Sequence, residues 1–320
     1  MGLPAMCVWV LTDGKIGDDV QCLAVAGALN PAFEKKVIAP RPPWEWLAPW
    51  GPVDPRDVPG KPGGLIAAPF PDVLIASGRR AVPYARAVKQ ASGGRTFTVF
   101  LKDPRIDTTV FDLVWAPSHD RLEGANVFST LTSPHGLKPR LKEAALNPAT
   151  GVGGLPKPML GVILGGPSGG ARFDKDVAED LAENINQARG AYASLAVVPS
   201  RRTPARFMRA LSAKLGGENL FIWNGEGANP YADVLAHADC LIVTADSHNM
   251  MSEAVSTGTG VYAYRPPGLA AKLDWTSREL DRLGVLRPFL DRAEPFSPEP
   301  IDATDEIVAE VRKRLSSRTI

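Results

Sequence analysis

Short, almost wholly apolar runs recur along the chain, each followed by a turn-forming cluster and then by a segment with helical spacing. The runs are residues 7–11, 35–39, 72–76, 96–101, 111–115, 159–164, 194–198, 220–223, 240–243 and 260–264. Most are continuous rather than alternating in polarity, as strands buried on both faces of a parallel sheet must be. Helical spacing appears at 20–29, up to Gln90, and at 174–188, 204–215, 229–237, 269–283 and 305–315. This alternation predicts βαβ units and an α/β fold with parallel sheets.

Two stretches break the pattern. Residues 40–64 are dense in proline and carry Trp44, Trp46 and Trp50; proline excludes regular helix and central strand, so a long loop is expected. Residues 138–158 combine two basic patches with Asn147-Pro148-Ala149-Thr150-Gly151-Val152-Gly153-Gly154, which reads as an interdomain linker. The strand–helix alternation restarts beyond it. At 320 residues the chain is long for one core. The expected organisation is therefore two Rossmann-like domains, 1–150 and 151–320, with the last helix free to return to the N-terminal one.

Composition narrows the classes. A net charge of +1, from 36 basic and 35 acidic residues, gives no basic excess for nucleic acid. No apolar stretch reaches the ~20 residues of a membrane-spanning helix. Met1 to Leu11 lacks a basic n-region and a small-residue cleavage site, so no secretory signal is expected. Cys7, Cys22 and Cys240 are odd in number and widely spaced, which fits reduced thiols in a cytoplasmic protein. Tryptophan favours bilayer interfaces, so Trp44, Trp46 and Trp50 are candidates for a peripheral contact at the inner membrane face, against the alternative of packing beneath their loop.

The chemistry concentrates where strands give way to helices. After the run ending at Val243, Thr244-Ala245-Asp246-Ser247-His248-Asn249-Met250-Met251-Ser252-Glu253 opens a helix, with Asp246 and Ser247 as N-cap candidates. Helix starts present free N–H groups and a positive dipole end to anions. Leu164-Gly165-Gly166-Pro167-Ser168-Gly169-Gly170 lies between another strand and helix, where Gly165 and Gly166 allow close backbone approach and Ser168 adds a hydroxyl. Arg201 and Arg202 follow a third strand, and a guanidinium matches phosphate oxygens. Two phosphate-type cradles in one half point to a diphosphate ligand such as a nucleotide-sugar, with His248 and Met250 in the same donor set. In the first half, Asp13, Lys15 and Asp18 cluster on one loop; Ser77, Gly78 and Arg79 form another helix start; Lys102, Asp103 and Arg105 form a polar loop. Each also has a purely structural reading as a cap or turn. Walker lysine, three-glycine dinucleotide spacing, HExxH and CxxC are missing, as is a strand-end Asp-x-Asp. Neither a metal nor a cofactor is expected.

Five segments in order carry a family resemblance: Leu11-Thr12-Asp13-Gly14-Lys15-Ile16-Gly17-Asp18, Phe100-Leu101-Lys102-Asp103-Pro104-Arg105, Leu164-Gly165-Gly166-Pro167-Ser168, Pro199-Ser200-Arg201-Arg202-Thr203-Pro204 and Thr244-Ala245-Asp246-Ser247. They resemble the mitochondrial fission "elongated mitochondria" family. The second half is more distantly similar to GT-B glycosyltransferases of the peptidoglycan undecaprenyl-glucosamine-transferring type. That likeness implies a GT-B-like fold with a cleft between its domains, a nucleotide-sugar on the C-terminal domain and an acceptor on the N-terminal one. Glu253, six residues after Ser247, takes the place of a ribose-binding glutamate. Asp13 and Asp18 take the place of the base that deprotonates the acceptor, and Lys15, Ser77, Gly78, Arg79, Lys102, Asp103 and Arg105 are assigned to an acidic acceptor, lipid-linked or of the cell envelope. The expected activity is metal-independent glycosyl transfer. The alternatives are a non-catalytic scaffold that recruits a protein partner, as the plant founder's association with organelle division implies, and a nucleotide-sugar epimerase.

Overall fold

The apolar runs assemble into two six-stranded sheets in a computed structural model that describes residues 6–318. Residues 1–5, the start of the segment read for a secretory signal, lie outside the described residues. The chain divides into two compact units: one runs to Gly136 and resumes at Ala303, and the other is Leu137–Asp302.

In the first unit, β1 (Val8–Thr12), α1 (Ile16–Leu29), β2 (Glu34–Val37), α2 (Trp44–Leu47), β3 (Val73–Ser77), α3 (Ala81–Ala91), β4 (Phe97–Leu101), β5 (Leu113–Pro117) and β6 (Val127–Thr130) follow in order. The sheet order is β2-β1-β3-β4-β5-β6, and each pairing is parallel. Alternate residues of the same strands serve opposite faces. Val8, Val10, Val73, Ile75, Val99 and Trp115 pack with Cys22 and Val25 of α1, whereas Trp9, Leu11, Leu74, Ala76 and Phe100 pack with Val82, Tyr84 and Val88 of α3. That two-sided burial is why the runs are continuous in sequence.

The second unit comprises α4 (Lys138–Leu146), β7 (Met159–Leu164), α5 (Lys175–Ala188), β8 (Ser194–Pro199), α6 (Ala205–Lys214), β9 (Leu220–Ile222), α7 (Tyr231–His237), β10 (Cys240–Thr244), α8 (His248–Val255), β11 (Gly260–Tyr264), α9 (Ala271–Arg282) and β12 (Leu286–Pro288). Its parallel sheet runs β12-β11-β10-β7-β8-β9. The last helix, α10 (Ala303–Arg318), belongs to the first unit, where Ala303, Ile307 and Val311 join the cluster around α1. In each sheet the strand order reverses once, at β1/β3 and at β7/β10. Loops leave such a switch point toward opposite faces and open a crevice at the carboxyl ends of the strands.

The structure departs from several sequence expectations. The unit boundary falls at 136/137, ahead of 150/151, because the stretch read as a linker contains α4. Pro139 lies in the first turn of α4, where its fixed φ favours helix and its missing N–H costs nothing. Asp233 of α7 then fixes the following turn, accepting from the Ala149 and Thr150 N–H groups and the Thr150 hydroxyl. Helix α1 begins at Ile16 rather than Val20, so Asp18 and Asp19 occupy its first turn, where the dipole favours carboxylates. The short strands β6 and β12, whose sequences VFST and LRP are broken by polar residues and proline, go undetected in sequence. Cys22 and Cys240 are buried free thiols, and burial pushes Cys240 up to about 11.

The proline-rich stretch is ordered, with α2 inside it. Its anchor is Asp54, whose side chain is wholly buried and accepts from Arg41 at 2.8 Å and Arg56 at 3.0 Å. Arg79 at the start of α3 donates to the Ala48 and Glu45 carbonyls, and Arg86 to those of Trp50 and Gly51. Trp44 is half-buried, while Trp46 and Trp50 are 68% and 69% exposed.

The Arg41 guanidinium, with Arg56 second, holds the Asp54 carboxyl well below the usual carboxylate range. A carboxyl depressed on folding contributes stability above its unfolded value and loses it as the pH falls toward the folded one. Asp54→Asn should therefore lower the melting midpoint at neutral pH, and the gap to wild type should narrow below about pH 4. Thermal melts across an acid series check this.

Candidate functional site

Loops from β1, β3, β4 and β5 surround a cavity of about 600 Å³ at the switch point of the first sheet. It is lined by Lys15 and Asp18; by Gly78 and Arg79; by Lys102, Asp103, Pro104 and Arg105; and by Asp120 and Leu122. Six residues singled out for the acceptor thus converge with one of the two candidate bases. Asp120 and Leu122 were not foreseen, although their loop also leaves the carboxyl end of a strand, the signal that marks the others.

Asp18 is fixed from two sides. Its Oδ1 accepts from Lys102 Nζ at 2.6 Å and lies 3.1 Å from the Ser77 hydroxyl, leaving Oδ2 without a hydrogen bond among the described residues. Gly78 brings the β3–α3 turn against this carboxylate. Its φ is +92°, and a Cβ there would stand 3.4 Å from Asp18 Oδ2. Ser77 itself is fully buried, so it positions Asp18 rather than meeting a ligand. Asp13 is separate from the cavity lining. Its carboxylate is wholly buried with no hydrogen bond among the described residues, balanced by Lys15 at 3.0 Å and Arg80 at 4.0 Å. Of the two candidate bases, Asp18 is the one that lines the cavity.

Backbone strain gathers at the same place. Among the described residues, Lys102, Arg105, Arg121 and Asn219 are the non-glycine residues with left-handed φ. Lys102 and Arg105 line the cavity, and Arg121 lies between Asp120 and Leu122. Such conformations cost about 1–3 kcal/mol each and cluster at functional sites.

At the switch point of the second sheet the geometry differs from the sequence expectation. The space over Gly165 and Gly166 is filled by protein. A Cβ on Gly165 would meet the Asp246 carboxylate at 2.1 Å, and one on Gly166 would meet the Arg202 carbonyl oxygen at 2.2 Å. Asp246 does not cap α8. It is buried, accepts from Gly166 N–H at 3.0 Å and pairs with Arg202 at 2.8 Å. Arg202 Nη1 also donates to the Gly166 carbonyl at 3.1 Å. These residues form a clamp that joins the turns after β7, β8 and β10.

The other residues expected from sequence to bind a donor lie on the turns after β7 and β8 and on α8. Ser247 is the N-cap of α8 and accepts from the Met250 N–H. His248 is half-buried in the first turn, and Met250 is buried. Glu253 accepts a hydrogen bond from the Tyr231 hydroxyl of α7; burial and this carboxylate push the phenol well above its ordinary value. Ser168 is half-buried, and Arg201 is exposed with no ion pair among the described residues. No group of three His, Cys, Asp or Glu side chains able to hold a metal occurs among the described residues.

Arg202→Ala strands a buried carboxylate, which costs about 1–3 kcal/mol. Arg201→Ala removes only an exposed side chain and should stay within about 0.5 kcal/mol of wild type. Denaturant melts of both variants check this: equal stabilities would refute the clamp.

A family model described as "Mitochondrial fission ELM1" matches residues 16–315. The mitochondrial fission protein ELM1 of Arabidopsis thaliana is 29% identical over 276 residues, 78% of this chain and 65% of the plant protein. The match thus spans less than two thirds of the plant protein's length. Among solved structures, the UDP-GlcNAc 2-epimerase from Methanocaldococcus jannaschii superposes with a TM-score of 0.56 at 11% identity, over 96% of this chain and 99% of that one. The Neisseria meningitidis enzyme, crystallised with UDP-GlcNAc, gives 0.51 at 11% identity, over 96% and 91%. Identities this low speak for the fold alone, a GT-B-like pair of α/β units. The matched family model spans nearly the whole chain, and the protein belongs to the mitochondrial fission ELM1 family.

Proposed function

We infer that the protein is a GT-B-type glycosyltransferase that moves a sugar from a nucleotide-diphosphate-sugar, bound by the second unit, to an acceptor bound by the first. The observation that carries this reading is the cavity of the first unit, where Asp18 keeps one carboxylate oxygen available among cationic side chains. The fold is consistent with it, since a structural neighbour is described as bound to UDP-GlcNAc.

In this reading the acceptor hydroxyl oxygen attacks the anomeric carbon of the donor. A new carbon–oxygen bond forms as the bond from that carbon to the diphosphate breaks. The hydroxyl proton passes to Asp18 Oδ2, and the bonding electrons leave with the diphosphate. Lys102 and Ser77 hold the carboxylate in place for the transfer. Arg201 and the amino end of α8 face the charge that develops on the leaving group, while the Arg202–Asp246 clamp keeps the turn rigid. Glu253, braced by Tyr231, is the group for the ribose hydroxyls.

A thermal-shift panel of UDP, GDP, CDP, ADP and TDP tests the donor assignment. At a hundredfold excess over Kd, the bound nucleotide adds about 2.7 kcal/mol. The midpoint should rise with one base and lose that rise in Arg201→Ala, which leaves the fold intact. Flat curves would move the assignment to a partner-recruiting scaffold, and a sugar altered without any acceptor would move it to an epimerase.

Trp46, Leu47 and Trp50 stand exposed on and beside α2, next to the arginines that hold the loop. This arrangement fits a peripheral contact with an anionic bilayer, since indole rings settle at the headgroup level. No described helix is long and apolar enough to cross a membrane. In liposome flotation, Trp46→Ala combined with Trp50→Ala should abolish co-flotation with anionic vesicles; unchanged flotation would refute the contact.

A further inference from the structure

We propose that the cavity of the first unit binds a phosphorylated sugar or polyol, with Arg79 and Arg105 as the phosphate-holding pair. The proposal rests on the reading of the first unit as the acceptor side and names the acceptor's chemistry.

Charge bookkeeping within the lining singles out these two arginines. Lys102 is paired with Asp18, and Lys15 with Asp13. Asp103 accepts from the Arg105 backbone N–H at 2.7 Å, which shapes the loop and leaves the guanidinium aside. Arg105 has no side-chain hydrogen bond or ion pair among the described residues. Among the described residues, Arg79 donates only to the neutral carbonyls of Ala48 and Glu45. Two guanidiniums on one cavity thus lack a carboxylate partner among the described residues, and they match a doubly charged anion with several acceptor oxygens. A phosphate monoester or diphosphate meets that description, and guanidinium forks fit its geometry.

Size and polarity identify what the phosphate is attached to. A volume of about 600 Å³ exceeds the need of a bare phosphate and falls within the range of small-molecule sites. Apart from Pro104 and Leu122, the lining is glycine and charged side chains. Such walls suit hydroxyl groups rather than a hydrocarbon chain. Asp18 Oδ2, Asp103 and Asp120 supply acceptors for those hydroxyls. The left-handed conformations at Lys102 and Arg105 present both side chains from one tight loop, which explains why the chain sustains that strain.

The phosphorylated group arrives either as a soluble metabolite or as a lipid headgroup with its tails outside the cavity. Calorimetric titration of the whole protein with glucose 1-phosphate, with glucose as the uncharged control, tests the first source. Flotation with phosphatidylcholine vesicles, with and without phosphatidylinositol, tests the second. Arg105→Ala should weaken binding roughly tenfold or more, the loss of one charge-assisted contact. Arg105→Lys should recover part of it, and Arg201→Ala in the second unit should leave it unchanged. Because Arg105 is exposed and carries no structural contact, its substitution should not alter the melting midpoint. Binding of glucose 1-phosphate lost in Arg105→Ala assigns a soluble ligand. Phosphatidylinositol-dependent flotation lost in the same variant assigns a lipid headgroup. Binding in neither format, or binding indifferent to Arg105 and Arg79, overturns the proposal. Nucleotide shifts that depend on Arg201 are read separately, so failure here does not count against the donor site.

Discussion

Both sheets are parallel and buried on both faces, and this constraint organises the rest of the molecule. A parallel strand needs a crossover, so helices cover the faces and the chain leaves every strand at the same edge. The loops that leave the carboxyl ends of a unit's strands then collect along that one edge. Where the strand order reverses, the loops part and leave a crevice. The first unit keeps its crevice open as a charged cavity at β1/β3, whereas the second closes the corresponding place at β7/β10 with the Arg202–Asp246 clamp.

The contrast between the two switch points shows how similar ingredients serve different ends. In the second unit a buried carboxylate accepts from the Gly166 N–H, the Thr244 hydroxyl and the Arg202 guanidinium, and Gly165 and Gly166 leave the room it occupies. In the first unit, among the described residues, Asp18 is hydrogen-bonded on only one oxygen and two arginines remain without carboxylate partners. Buried charge that is fully paired rigidifies a structure. Charge at an open cavity that is left partly unpaired is available to a ligand.

The ordered proline-rich stretch ties these levels together. Asp54 folds it, and Arg79 links its carbonyls to the start of α3. Arg79 also lines the cavity, so the exposed tryptophan turn and the charged site share a structural element within one unit.

Strand runs, the two-unit plan and the strand–helix turns were legible in the sequence because each rests on a local cause. Continuous apolar runs mean two-sided burial, and Ser247 caps its helix through its own side chain. The grouping of Lys15, Gly78, Arg79, Lys102 and Arg105 was also accessible, since each follows a strand's carboxyl end. What the sequence could not supply was pairing. Gly165 and Gly166 read as room for a ligand, yet only the fold reveals that Asp246 and Arg202 fill that room. Asp246 reads as a cap, yet it is withdrawn to neutralise an arginine from another turn. The proline-rich loop reads as irregular, yet Asp54 orders it through two arginines, one of them distant in sequence. Local propensity, patterning and caps are properties of a few neighbouring residues, and the sequence determined them. Which charges are satisfied and which stay available depends on residues brought together from separate strands, and only the tertiary structure decided that.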